Sequence, residues 1–460
     1  MSYKIAFIGG GSALWTARLS ADMFLEKSLN GSEMVLVDID PMSMIVTEKY
    51  LQEMNKRLES KWKIRTGKRE EALDNADVVV VCISTGGFDA MHLDYTIPEK
   101  YGVYHTVSDT VGPGGIARSL RNIPVFLDIA KDMTRLCPNA TLLHVTNPLT
   151  QLTRAVNKSG MVKCCGLCHE YIAILAFMQR FFKAENFSDV DGNCMGVNHF
   201  TLLTDLSVKG VKDPMSKLSS AAYKAFEDTC TEERLSGTVD DEVKKAEENK
   251  SGPEKYPYTI NFYLYDLYGK CAFPAAGAPH MSENFPFFNS SPENLEKLNV
   301  RRKGVLPNRP KRKQERREEL AARLEKNEAL PEMKQRSRET LADAVVGLCT
   351  GEARRIIASI PNRGQISNLP LDAVVETWAT VTSGGITPHF AGEIPAAYRP
   401  FMEAIVREQE LTVEAAMTGD RNKVVEAMLV SPMLTNKFVA EKLADELLAA
   451  HKEYLPQFKF

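Results

Sequence analysis

Over the first 170 residues, short and nearly all-apolar runs alternate with longer stretches of mixed character. The runs read "KIAFIGG", "EMVLVDID", "ADVVVVCIST", "ATLLHVTNP" and "VKCCGLC". Runs of that length without polar alternation are strands covered on both faces, so the pattern predicts a doubly wound parallel sheet with crossover helices, an α/β arrangement. From about Asp189 the pattern changes. "DGNCMGVNHFTLLTDLSVKG" mixes Gly and Asn turns with alternating apolar positions and predicts antiparallel strands. This divides the chain into residues 1–188 and an α+β second domain, 189–460, which holds the substrate, metal and oligomerisation surfaces. The basic run that begins at Arg301 reads as a solvated helix or loop. Helices resume from Glu339, interrupted by the loop "SIPNRGQISNLPLDAVVETWATV", which leads into a strand.

Composition narrows the classes. The 460 residues are 44% hydrophobic and 25% charged with a net charge of −3, which gives no reason to expect nucleic acid or an anionic membrane as partner. The first apolar run ends in glycines after about five residues, which fits a strand and not a signal peptide. No stretch approaches the ~20 apolar residues of a membrane helix. Nine cysteines, an odd number, fit reduced thiols in the cytoplasm better than disulfides.

Gly9, Gly10, Gly11 and Ser12 follow the first strand and open the segment "LWTARLSADMFL". Such a turn lets backbone N–H groups approach a pyrophosphate at a helix start. Gly9 and Gly11 fit the first two glycines of the dinucleotide fingerprint, and Leu14 replaces the third. The second strand ends "VLVDID", where a carboxylate meets the ribose hydroxyls of NAD. Asp38 is the candidate, with Asp40 as a residue that only starts the next turn. Together these predict a Rossmann-type domain that prefers NAD to NADP. Gly86 and Gly87 sit either against the cofactor or in an ordinary turn. Asn147, ahead of Pro148, sets an amide at the carboxyl edge of the sheet, where it can orient the nicotinamide or a sugar hydroxyl.

"KCCGLCHEY" crowds three cysteines and a histidine together, but no second Cys/His pair follows at a zinc-finger spacing. Cys164 and Cys165 read as small buried hydrophobes. Cys168 emerges at the carboxyl edge, and His199 follows in "GVNHF". One thiolate and one imidazole meeting there would hold a divalent ion with positions open for substrate; read singly, they are core or capping residues.

The set "GGGS", "SDTVGPGGIARSLRNIPV", "VTNP", "GLCHE", "GVNH" and "NRGQISNLP", running in order from Lys4 to about Pro370, resembles glycoside hydrolase family 4, the NAD- and manganese-dependent glycosidases. The resemblance implies Cys168 and His199 as metal ligands. His169, directly after the cysteine, implies the branch acting on unphosphorylated α-glucosides, α-galactosides or hexuronides. "CHEY" is nearest the α-glucosidase form, and "SDTVGPGGIAR" is closer to the α-galactosidase and uronidase forms. The implied scheme removes hydride from sugar C3 to NAD, deprotonates C2, eliminates the aglycone, adds water and returns the hydride; this family is an exception to the two-carboxylate rule. Tyr258, Asp109 and His169 are the catalytic candidates. The C2 base is a tyrosine, chosen among Tyr256, Tyr258, Tyr263 and Tyr265, whose other reading is core aromatics. Asp109 can protonate the leaving oxygen, bind sugar hydroxyls or cap a helix. Asn147, Asn198 and Arg118 are the substrate contacts. A homodimer or homotetramer with a small-molecule glycoside as its partner is expected.

Two rivals remain at this stage. Lactate and malate dehydrogenases share this strand topology, so an NAD-dependent 2-hydroxy-acid or sugar dehydrogenase is the enzymatic alternative. The loop "STGGFDAMHLDY" nevertheless lacks the arginine pair a substrate carboxylate would need. A protein that only senses NAD would keep the glycine turn and need no metal ligands.

Overall fold

The computed structural model of the 460-residue chain describes residues 2–235, 258–298, 300, 302 and 309–460. Its strands are β1 (Lys4–Ile8), β2 (Glu33–Val37), β3 (Lys63–Thr66), β4 (Val78–Val81), β5 (Thr141–His144), β6 (Cys164–Gly166), β7 (Val190–Val197), β8 (Phe200–Val208), β9 (Phe273–Pro274), β10 (Arg354–Pro361), β11 (Val374–Thr382) and β12 (Gly385–Pro388). Nine of them form one sheet in the order β12-β11-β10-β6-β5-β4-β1-β2-β3. The six strands from β3 to β6 pair in parallel, in the doubly wound order expected.

Both faces of this sheet are covered, which explains the unbroken apolar runs. Along β1, Ile5 and Phe7 pack on one side, with Leu19, Met23 and Tyr50 of the helices Trp15–Phe24 and Pro41–Arg57. Ala6 and Ile8 pack on the other side, with Ile116 and Leu120 of Gly112–Leu136 and Leu443 of Lys437–Ala450. That alternation follows from the two-residue period of a strand.

Beyond β6 the sheet continues with strands from the far end of the chain. β10 runs antiparallel to β6 through Ser359 and Gly166, and β11 and β12 follow it antiparallel. One sheet therefore crosses residue 188. The segment around "RRIIASIP", read from sequence as helix giving way to loop, is this strand. Ile356, Ile357 and Ala358 are fully buried in it, and the loop begins only after Pro361. A short apolar run does not itself distinguish a buried strand from a helix end.

β7, β8 and β9 form a small antiparallel sheet where one was expected. The basic run falls partly outside the described residues. From Arg309 to Glu325 it is a helix, with Leu320 buried and Lys313 3.3 Å from Asp40. Among the described residues no helix is long and apolar enough to cross a membrane.

Candidate active site

The glycine turn is folded tightly against the second strand. Gly9 and Gly10 both donate N–H to the Val37 carbonyl, at 2.8 and 3.0 Å. Gly9 has φ 91°, and a Cβ there would run into the Cys82 carbonyl at the end of β4. A Cβ on Gly11 would lie 2.8 Å from Asp38 Oδ2, the same oxygen that accepts the Gly11 N–H at 2.8 Å. Asp38 Oδ1 accepts from Asp40 N at 3.0 Å. The carboxylate is thus locked beside the turn, where a ribose would lie. Ser12 Oγ accepts from Trp15 N at 3.3 Å. Asp40 caps the next helix by accepting from Ser43 N, and the Ser43 hydroxyl, donating to it at 2.6 Å, draws its carboxyl down to about 2. Glycines packed this closely against β2 and β4 let the turn run straight into the helix Trp15–Phe24, whose start is where a dinucleotide phosphate is held in such folds.

Across the carboxyl edge, the helix Gly112–Leu136 ties two loops together. Asn122 Oδ1 accepts from Thr85 N at 3.0 Å, just before Gly86 and Gly87, which both take left-handed φ. Asn122 Nδ2 and Arg118 Nε each donate to the Asn147 carbonyl at 3.2 Å. Asn147, joined to Pro148 by a cis bond, donates Nδ2 to Asp109 Oδ2 at 3.0 Å.

Asp109 is the hinge of a buried polar cluster. Its Oδ1 accepts from Thr110 Oγ1 at 2.8 Å and lies 3.7 Å from Nδ1 of both His199 and His280. Burial alone would raise its pKa, but His280, His199 and Arg118 outweigh burial and hold the carboxyl below the ordinary carboxylate range. His199 occupies the two-residue turn between β7 and β8 at φ 62°, which projects its ring over the sheet edge. Its Nδ1 is 2.6 Å from Thr110 Oγ1. With the Thr110 proton given to Asp109, Nδ1–H of His199 must donate, a tautomer assigned from this network, and Nε2 is left as a lone pair. That lone pair lies 3.7 Å from Cys168 Sγ and 3.9 Å from Glu170 Oε2. Burial, with His280 next in weight, lowers His199 to about 4, so the ring stays neutral near pH 7.

A divalent ion fits this end of the ring. Cys168, a neutral Nε2 and the buried Glu170 Oε2, which has no hydrogen-bond partner, offer sulfur, nitrogen and oxygen donors, and the Nδ1–H contact orients the ligand. Another grouping is more compact: one ligand atom each from Asp109, His199 and His280 lies within 4.8 Å of the others. We favour the Cys168 side on geometry. The two imidazoles stack with centroids 3.6 Å apart at 31°, and the His199 Nδ1 that faces Asp109 is already engaged by Thr110, which leaves Nε2 as the ligating atom of that ring. Without an ion, burial, with Glu376 and Glu170 nearby, drives the Cys168 thiol well above its ordinary pKa.

The other expected residues lie elsewhere. His169 Nδ1 sits 3.0 Å from Glu339, with its ring 6.2 Å from Trp15 on the glycine-turn side. Its pKa is raised because Glu339 outweighs burial. Asn198, read as a sugar contact, is only 2% exposed and donates to Glu376 Oε2 at 3.0 Å, so its amide N–H faces inward. Tyr258 packs its ring 4.4 Å from that of Phe177, in an aromatic cluster with Tyr223 and Phe262. Tyr263 is half exposed against Phe288, and Tyr265 donates its hydroxyl to Met215 O at 2.8 Å. Tyr256 lies outside the described residues. Cys164 and Cys165 are buried, as expected of packing residues. Sequence reasoning passed over Glu170, Glu376 and His280. Glu170 stands two residues after Cys168, within reach of inspection; His280 has no spacing signal toward His199, because it comes from a separate helix.

Comparison with known proteins bears on this arrangement. The family model described as Family 4 glycosyl hydrolase matches residues 4–184, and that of the family's C-terminal domain matches residues 194–434. The chain is 30% identical to an alpha-galactosidase of Bacillus subtilis, over 99% of this chain and 100% of that protein. It is 31% identical to an alpha-galacturonidase of Thermoanaerobacterium saccharolyticum, over 99% and 97% respectively. A crystal structure of a Bacillus subtilis protein described as a glucosidase superposes with a TM-score of 0.82 at 26% identity, covering 97% of this chain and all of that one.

Proposed function

The chain belongs to glycosyl hydrolase family 4, and from that premise we propose that it is an NAD- and divalent-metal-dependent glycosidase acting on unphosphorylated α-glycosides, α-galactosides and α-galacturonides first among them. The observation that carries this reading is the meeting of Cys168, His199 and Asp109 beside Asn147, at the carboxyl edge of the sheet whose first turn is the dinucleotide cradle. Family membership also sets aside the dehydrogenase alternative.

Gly9, Gly11 and Ser12 would hold the NAD pyrophosphate, Asp38 the ribose, and Gly86 the far side of the cofactor. Cys168 and His199 would hold the metal, manganese in the first instance. When bound, NAD accepts and returns a hydride at sugar C3, and the metal stabilises negative charge on the C2 and C3 oxygens. The chain's own part is orientation. Asp109, kept ionised by its neighbours and fixed by Thr110 and Asn147, accepts hydrogen bonds from sugar hydroxyls. Arg118 holds Asn147 in place from behind.

A tyrosine of the 256–265 segment, Tyr258 first, is the proposed C2 base. Supporting this, the Tyr258 ring packs 4.4 Å from that of Phe177 on the helix Glu170–Phe181, which begins two residues past Cys168. A homodimer or homotetramer in a reducing cytoplasm completes the proposal; the open sheet edge at β12 and the exposed Phe390 beside it are what support association.

The test is a panel of nitrophenyl α-galactoside, α-glucoside, α-galacturonide and glucuronide with NAD⁺, Mn²⁺ and a thiol reductant. Turnover should need only catalytic NAD⁺ and leave no net NADH. Product formed in D₂O should carry deuterium at C2 and its original hydrogen at C3. NADH accumulating in step with substrate, or turnover without NAD⁺, would sink the reading.

A further inference from the structure

The helix Ala278–Asn284 reaches the site with three side chains. His280, Glu283 and Asn284 stand at i, i+3 and i+4, the spacing that brings residues onto one helix face. His280 lies beside Asp109 and Glu170. Asn284 donates Nδ2 to the His199 carbonyl at 3.0 Å. Glu283 is fully buried and touches no reacting group, yet it has the densest set of partners of the three. Its Oε1 accepts the backbone N–H groups of Thr106, Val107 and Ser108 at 2.8, 2.8 and 2.9 Å and lies 3.0 Å from His105 Nδ1. Its Oε2 has no hydrogen-bond partner.

Three consecutive N–H groups converging on one oxygen form an anion nest. Here the anion belongs to the protein, and the nest is the segment that delivers Asp109. Ser108, the last residue of the nest, takes a left-handed φ of 61°, and the chain turns there to present the Asp109 carboxylate. His105 secures the same segment from the other side, because its Nε2 accepts from Gly114 N at 3.1 Å. We infer that Glu283 is a positioning residue: its carboxylate fixes residues 105–108 to the helix that carries His280, and so sets the separation of Asp109 from His280. A buried carboxylate is costly unless its hydrogen bonds are made. The segment is therefore held at one height over the helix, where slippage would leave the charge unsatisfied. The inference rests on the glycosidase reading only in taking Asp109 to serve the sugar.

Two substitutions in the holoenzyme separate reach from charge. Glu283→Asp keeps the charge and withdraws the carboxylate by ~1.5 Å, one carbon–carbon bond. Glu283→Gln keeps the reach and one acceptor oxygen, with the amide nitrogen at the position of Oε2. We expect Glu283→Gln to stay within about threefold of the parent kcat/KM. Glu283→Asp should lose about 10²-fold in kcat/KM with NAD affinity unchanged, as a small misplacement of a group that orients the sugar does. Its crystal structure should show Asp109 Oδ1 further from His280 Nδ1 than the present 3.7 Å. An unchanged separation overturns the inference. So does parental kcat/KM per NAD-binding site in Glu283→Asp, or failure of that variant to fold, either of which makes Glu283 a purely structural group. If the parent hydrolyses no glycoside, the family reading of the site falls, while the crystallographic separation still decides the role of Glu283.

Discussion

His199 shows how much one residue depends on its neighbours. Thr110 fixes its tautomer, Asn284 its carbonyl and the hairpin turn its backbone, and the result is one lone pair aimed toward Cys168. Cys168→Ser and His199→Ala should therefore each weaken Mn²⁺ binding at least about a hundredfold and remove hydrolysis. NAD affinity should persist, because Gly9 to Ser12 form the turn after β1, on another part of the sheet edge; equilibrium dialysis with both ligands checks this. Glu376 supports a second residue-scale prediction. Burial raises its carboxyl to about 7, only partly relieved by Ser359 and Asn198. An acid with a raised folded value contributes its stability below the unfolded value near 4.5 and loses it as pH climbs through 7, a swing of ~3 kcal/mol. Glu376→Gln cannot ionise. It should melt close to the parent at pH 4.5 and progressively above it toward pH 8, and parallel melting curves across that range would refute the assignment.

At the scale of elements, the site is held by the β7–β8 hairpin and the helix Ala278–Asn284. The hairpin needs Gly196, whose φ of 143° is open to few side chains and whose Cβ would press on the Phe200 carbonyl. Gly196→Ala should cost about 1–3 kcal/mol through backbone strain. Because the distortion lies three residues before His199, Mn²⁺ affinity should fall together with the melting temperature. Thermal melts with and without metal test this, and a variant that loses stability but binds Mn²⁺ as the parent does would show that the turn is not what aims His199. The pattern of apolar positions was enough to foresee antiparallel strands here, with His199 expected on the first of them; that the chain turns at Asn198 and His199 only the structure decided. The short helix beside the hairpin was not foreseen, because seven residues give too few turns for a periodic signal.

At the scale of the molecule, the nine-stranded sheet makes the two ends of the sequence interdependent. β10 covers the edge of β6, and helices between Arg399 and Ala450 pack on the face formed by β1, β4 and β5. A chain ending at residue 188 would expose the β6 edge and uncover Ile116, Leu120 and the strand residues beneath them. It should populate an expanded state with helical far-UV but weak near-UV circular dichroism, and it should bind NAD poorly. A cooperative melt and full NAD affinity in that fragment would make residues 1–188 an independent domain.

The sequence by itself determined what local pattern can encode. Unbroken apolar runs require a sheet covered on both faces, the Gly9–Ser12 turn requires a backbone cradle, and Cys168 with His199 follows from motifs whose residues keep their order along the chain. The tertiary structure decided what depends on convergence from distant segments. His280 reaches Asp109 from a separate helix, Asn198 turns inward because Glu376 waits on β11, and β10 completes a sheet begun near the first residue. None of these has a local signal. Each exists only where burial has already brought strand ends together and an unsatisfied polar group must find its partner.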